Sequence, residues 1–315
     1  MPDPRDWRSL FSFASSEMEI NGHRLHYVDE RPRADAAAPE TLLFVHGNPT
    51  WSFHWREPLR AWRGKHRLVA PDHLGCGMSD RPTGWPYRLQ DHIDNLARLV
   101  ERLDLRQVTL VAQDWGGAIG LGAALASPDR YARVVLLNTG AFRPWYIPWR
   151  IRVCRTPLLG RLVVQGMNLF LRAAFHMAVA DRRSLSPSVR AGYLAGYGSW
   201  KRREAIYRFV EDIPASPAHP TYQTLARIES ELPSLGDRPW QLIWGMRDWC
   251  FTPACLDKFR ELIPQARVHR FGDAGHWVLE EVPEQIIKLV EDFLADTPLN
   301  ETSRLDRVSA TRNVR

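Results

Sequence analysis

The stretch Val108–Gly117, read VTLVAQDWGG, places a carboxylate where a reactive group would sit. Val108, Leu110 and Val111 form an apolar run of strand length that stops at Gln113-Asp114-Trp115, and Gly116-Gly117 opens an Ala-rich helical stretch. Ala112 stands two residues before Asp114 and Gly116 two after it. Small residues at those positions let a sharp strand-to-helix turn push one side chain out above a sheet, the spacing of a nucleophile elbow. An Asp acting only as a helix N-cap would need neither small neighbours on both sides nor an aromatic directly after it. Two more groups follow later strand-like runs: Asp248 in WGMRD after Trp240–Trp244, and His276 in GDAGHW after Arg267–Phe271. The chain order is nucleophile, acid, histidine. The competing position for the acid, Asn138-Thr139-Gly140, holds no carboxylate.

A carboxylate nucleophile selects a reaction class. It is ionised at neutral pH and attacks a saturated carbon without a base, giving an alkyl ester of the enzyme. His276 is then free to activate a water that hydrolyses the ester, with Asp248 orienting the imidazole and stabilising its charged form. Substrates with a leaving group on saturated carbon suit this logic, and ordinary esters and peptides do not. Trp115, next to the nucleophile, offers an indole N–H and no acceptor, and Asn48, in the loop after the run ending at Val45, offers two amide donors. Two neutral donors and no acid describe a halide site.

The elements that must hold these groups alternate. Asn21-Gly22 is a hairpin signal between Glu17–Ile20 and Arg24–Asp29. Strands are expected at Thr41–Val45, Arg67–Pro71, Val108–Val111, Ala132–Asn138, Trp240–Trp244 and Arg267–Phe271. Helices are expected at Leu59–Trp62, with Trp55 inside the same helix, at Leu89–Asp104, Pro253–Leu262 and Pro283–Leu294. Alternation implies a mostly parallel sheet covered on both faces, with reactive groups in loops at the carboxyl ends of strands. Between Ala141 and Leu225 the alternation stops, and Pro-broken helical segments rich in Trp and Tyr suggest an inserted helical cap. The expected division is therefore core over 1–140, cap over 141–226, core again over 227–297, and a disordered tail over 298–315. Arg161–Ala180 carries Arg161, Gln165, Asn168, Arg172 and His176, a polar stripe that predicts one amphipathic helix and not a membrane span.

Composition narrows the partners. The net charge of +6 comes from Arg, since Lys65, Lys201, Lys258 and Lys288 are the only lysines. No basic nucleic-acid motif accompanies it, and a genomic bias explains scattered Arg as well. Cys76, Cys154, Cys250 and Cys255 are dispersed without metal spacing, and the N-terminus has no apolar signal segment, so a cytoplasmic protein with free thiols is expected. The Arg-rich middle (Arg143, Arg150, Arg152, Arg155, Arg161 and Lys201-Arg202-Arg203) reads as a solvated face, with an acidic-surface or self-association site as the alternative.

Together HGNPTW (46–51), DHLGCGMSDRP (72–82), QDWGG (113–117), WGMRD (244–248) and GHWVLEEVPEQI (275–286) resemble the haloalkane dehalogenases, over most of residues 22–294. The resemblance implies an α/β-hydrolase fold and turnover of halogenated alkanes to alcohol, halide and proton, with no cofactor or metal. It implies Asp114 as nucleophile, His276 as base, Asp248 as acid, and Asn48 with Trp115 as halide ligands. The acid after the strand ending at Trp244, combined with Asn48, is similar to the third subgroup of that family. Implied partners are a small apolar halogenated substrate, halide and water, with no nucleic acid and no membrane insertion; self-association stays open. Two alternatives remain. An epoxide hydrolase shares the triad and needs tyrosines from the cap, where Tyr146, Tyr193, Tyr197, Tyr207 and Tyr222 are available. A receptor on the same fold would lack turnover.

Overall fold

The computed structural model describes residues 6–36 and 39–299. The expected tail over 298–315 lies outside the described residues from 300 onward.

One sheet of eight strands organises the chain, in the order β1-β2-β4-β3-β5-β6-β7-β8. β1 (Ser15–Ile20) and β2 (His23–Glu30) form the expected hairpin, and Asn21 and Gly22 both take positive φ, the conformation a two-residue turn with this twist demands. β2 also runs antiparallel to β4 (Arg67–Pro71). From there on β3 (Thr41–Val45), β4, β5 (Val108–Asp114), β6 (Tyr131–Thr139), β7 (Trp240–Gly245) and β8 (Arg267–Phe271) pair in parallel. Every residue of β5 and β7 is buried, which is why these strands read as apolar runs without alternation.

Helices cover both faces: α1 (Arg56–Trp62), α2 (Leu89–Arg102) and α3 (Trp115–Ala126) before β6. α2 buries Leu89, Ile93, Leu96, Leu99 and Val100, one stripe at helical spacing. Trp55 is not in α1 but in the preceding 3-10 turn Ser52–Trp55, because Pro58 suits only the first turn of the α-helix that starts at Arg56.

Between β6 and β7 the described residues form no strand. Helices α4 (Trp149–Cys154), α5 (Leu159–Arg161), α6 (Leu169–Met177), α7 (Pro187–Ala195), α8 (Glu204–Glu211) and α9 (Pro220–Glu231) follow one another. The single helix expected over Arg161–Ala180 is broken. A π turn runs over Leu162–Gly166, Asn168 takes left-handed backbone, and α6 starts afresh at Leu169. The polar stripe is solvated only in part: Arg161, Arg172 and His176 are exposed, whereas Gln165 and Asn168 are buried and Gln165 donates to the Trp200 carbonyl. Gly166 and Asn168 are poor residues for a helix interior, so propensity breaks what periodicity alone suggested. After β7 come α10 (Pro253–Leu262), α11 (Val278–Glu281) and α12 (Pro283–Asp296).

Candidate active site

The elbow at the end of β5 is strained as its sequence requires. Asp114 has φ 54° and ψ −132°, a conformation L-residues rarely adopt. Close packing holds it there. A Cβ on Gly116 would overlap the Val45 carbonyl, and one on Gly117 would overlap the Thr139 side chain. The Thr139 hydroxyl also donates to the Asp114 carbonyl oxygen. β3, β5 and β6 thus clamp the turn from both sides.

The Asp114 side chain meets two groups. The Asn48 backbone N–H donates to its Oδ1 at 2.6 Å. His276 Nε2 lies 3.4 Å from its Oδ2. A Cβ on Gly47 would occupy the place of the Asp114 carboxylate, so the loop after β3 needs glycine for close approach. On the far side of the ring, His276 Nδ1 donates to Asp248 Oδ2 at 2.7 Å. The strand ends therefore bring Asp114, His276 and Asp248 into one row, on loops after β5, β8 and β7.

Asp248 is fully engaged. Its Oδ1 accepts from the backbone N–H groups of Cys250 (2.7 Å) and Phe251 (3.0 Å), and its Oδ2 also accepts from Asn138 Nδ2 at 3.0 Å. Asn138 uses the same amide to bracket β7, donating to the Gly245 carbonyl and accepting from its N–H. Sequence reading dismissed this strand end because it holds no carboxylate. The polar residue at the tip of a buried strand was the available signal. Two further contacts were also missed. Phe251 stacks on His276 with centroids 5.6 Å apart, and Gln113 Nε2 donates to the His276 carbonyl at 2.6 Å.

Burial alone would push the His276 imidazole down, as it does for His54 and His92, each lowered to about 3. At His276 the carboxylates of Asp248 and Asp114 outweigh that burial and raise it to about 10. The two flanking carboxylates thus favour the charged form of the imidazole between them.

Asn48 and Trp115 both border the same cavity as Asp114 and His276, which measures about 390 Å³. Its other walls are mostly apolar, among them Phe142, Ile147, Phe170, Val210, Leu225 and Phe251. Trp115 packs on Phe209 with the rings tilted at 49°, and among the described residues no acceptor takes its indole N–H. Asn48 is less free than its sequence context suggested: its Nδ2 donates to the Ile206 carbonyl of α8 at 3.2 Å, and its Oδ1 is buried without a partner. Among the described residues no group of three His, Cys, Asp or Glu is arranged to hold a metal ion.

The tyrosines of the helical segment are mostly committed elsewhere. Tyr193 and Tyr197 are fully buried, and their hydroxyls donate to Glu280 Oε1 and to the Thr50 carbonyl. Of the five, Tyr146 borders the cavity. The pair of phenols an epoxide-opening site needs is not assembled there.

Comparison with known proteins identifies the fold and the family. A family described as the alpha/beta hydrolase fold matches residues 40–156 and 191–283. The chain is 38% identical to a cis-3-alkyl-4-alkyloxetan-2-one decarboxylase of Shewanella oneidensis, over 92% of this chain and 91% of that protein. It is 32% identical to haloalkane dehalogenase 2 of Mycobacterium tuberculosis, over 93% and 98%. Among solved structures, the haloalkane dehalogenase DatA from Agrobacterium tumefaciens superposes with a TM-score of 0.81 at 28% identity, covering 92% of this chain and 99% of that one. The chain belongs to the α/β-hydrolase family, in its haloalkane dehalogenase branch.

Proposed function

We propose that this enzyme uses Asp114 to attack a saturated carbon that carries an oxygen leaving group, and that its substrate is a cis-3,4-dialkyl oxetan-2-one, which it decarboxylates. One observation carries the attack: a carboxylate held by the Asn48 N–H and His276 at the polar end of a largely apolar cavity of about 390 Å³. The leaving group follows from the relatives, since the chain aligns over nine-tenths of its length with oxetan-2-one decarboxylases of Shewanella and Xanthomonas at 38% and 37% identity.

The chemistry balances without water. An Asp114 carboxylate oxygen attacks ring carbon 4 from behind, and the carbon–oxygen bond of the ring breaks with its electron pair going to the departing carboxylate. This leaves an alkyl ester of Asp114 with a free carboxylate on the neighbouring carbon. Inversion sets the new ester oxygen anti to that carboxylate. The bond to the carboxylate carbon then breaks, its electrons form the double bond, and Asp114 leaves as carboxylate. The products are carbon dioxide and an alkene whose two alkyl arms stay on the same side. His276, as imidazolium, and the donors of Asn48 and Trp115 stabilise the two carboxylates as each departs.

Dehalogenation of an alkyl halide is the second reading, favoured by the free indole N–H of Trp115 beside the nucleophile. The first step is the same and expels halide. No neighbouring carboxylate then exists to drive elimination, so the ester must be hydrolysed. Once Asp114 is esterified its charge no longer supports the imidazolium, and His276 becomes a base for water. Asp114, His276, Asp248, Asn48 and Trp115 carry the site in both readings. The helices over 141–226 act as its cap, and four free cysteines fit a cytoplasmic setting.

The test presents a cis-3,4-dialkyl oxetan-2-one and, separately, primary bromoalkanes to the purified protein. The expected result is cis-alkene and carbon dioxide in equal amounts, with no alcohol. Halide and alcohol from the bromoalkanes, with the lactone untouched, would replace the first reading by the second.

A further inference from the structure

The outer face of the helical segment is apolar and basic at once. Trp145, Tyr146, Trp149, Val153 and Leu169 are all exposed and all border the mouth of the active-site cavity. The surface continues onto Leu158, Leu159 and Leu162, with Leu158 86% exposed, and Gly166 brings Leu162 beside the exposed Trp200. A run of large apolar side chains left in solvent is unusual unless something covers it.

Charge indicates what covers it. From Ala141 to Arg203 the sole acidic residue is Asp181, against twelve Arg or Lys. Asp181 is tied to Arg183, and the next acids, Glu204 and Glu211, are paired with Arg208. Arg150, Arg152, Arg161, Arg172, Lys201 and Arg202 are exposed among the apolar residues. Arg150 lies over Trp149 at 4.9 Å and Arg161 over Trp200 at 5.8 Å, so cations and indoles occupy one level of the surface. Trp, Leu and Arg at one level match the boundary between headgroups and acyl chains.

We infer that this face docks on an anionic lipid bilayer, seating the cavity mouth against the membrane so that a substrate with apolar arms enters from the lipid. The described residues include no helix long and apolar enough to cross a membrane, so the contact is with one leaflet. The inference concerns the surface and holds for either leaving group.

Cosedimentation of the whole protein with vesicles tests it. Vesicles of phosphatidylcholine with phosphatidylglycerol should pull the protein down at low salt, pure phosphatidylcholine should do so weakly, and added salt should release it. Leu158→Ser with Leu162→Ser, residues outside the cavity wall, should abolish binding. Arg152→Gln with Arg172→Gln should weaken it by on the order of tenfold or more. Both variants should keep the thermal unfolding midpoint and the turnover of a short-armed substrate in solution. Three results overturn the inference: no cosedimentation with anionic vesicles, equal binding to both vesicle types that the variants leave unchanged, or a dimer in solution that the Leu variant converts to a monomer while vesicles bind neither form.

Discussion

In the proposed mechanism Asp114 and His276 divide the reaction between them, and replacing each should separate its steps. Asp114→Ala should abolish turnover of lactone and bromoalkane alike while leaving the circular dichroism spectrum unchanged, because among the described residues no other carboxylate lines the cavity. His276→Phe gives a sharper result. With a primary bromoalkane it should release a burst of about one halide per site and then stall, with the alkyl mass retained on the peptide containing Asp114. With the lactone it should keep turning over slowly, since elimination frees Asp114 without water. Equal loss of both activities, with no adduct, would remove the covalent step. His276 also links stability to pH. Its folded value, about 10, lies above the unfolded value near ~6.5, so its stabilisation is complete below the latter and lost as pH rises toward the former. Denaturant unfolding should therefore show stability falling between pH 7 and pH 10 (~7 to ~10), on the order of a few kcal/mol, with a smaller fall in His276→Phe.

The elbow depends on three strands approaching more closely than side chains allow. Gly116 sits against the Val45 carbonyl, so Gly116→Ala must push β3 and α3 apart and should destabilise by about 1–3 kcal/mol, read from the urea midpoint. Gly47→Ala strikes the Asp114 carboxylate itself. It should lower kcat far more than stability, because a displaced nucleophile loses alignment while the carboxylate can swing into the cavity. Asn138 belongs to this level too, since one amide fixes both the Asp248 carboxylate and the end of β7. Retained full activity in Gly47→Ala would mean that Asp114 attacks from another rotamer.

The helical segment is fastened to the core through a buried polar cluster. Arg56 of α1 makes a two-pronged pair with Glu280 of α11, and Tyr193 of α7 adds its hydroxyl to the same carboxylate. The Glu280 carboxyl stays below its ordinary value: burial opposes its charge, but the Arg56 guanidinium prevails. Trp51 and Asn48 make two more ties, donating to the carbonyls of Gly192 and Ile206. Arg56→Leu should be strongly destabilising, by about 3–5 kcal/mol, because it leaves a buried carboxylate uncompensated. Tyr193→Phe removes one donor of several and should cost about 1–2 kcal/mol. It should also raise KM more than it lowers kcat, since it loosens the segment that walls the cavity and leaves Asp114 in place. Thermal unfolding and steady-state kinetics check both.

Local rules were enough to single out Asp114, Asp248 and His276, which the fold brings into one row, because each sits at or just after the end of a strand. The strand from Val108 and the helix Pro253–Leu262 were legible because burial of a whole strand or one helical stripe leaves an unambiguous pattern, although the strand runs on past Val111 to Asp114. Arg267–Phe271, an edge strand with no buried residue, was legible from its place in the alternation. What depended on distant partners was not legible. Asn138 became the support of Asp248 only when β6 and β7 paired, and the Asn48 amide met Ile206 only when α8 folded across the cavity. The break at Gly166–Asn168 was missed because apolar spacing outlasts the helix it describes. The motifs around Asp114 specify the attack and not the leaving group, because a carboxylate adds to a saturated carbon in the same way whether halide or carboxylate departs. The cavity and the basic apolar face around its mouth exist only because separated helices fold together, which no local pattern encodes.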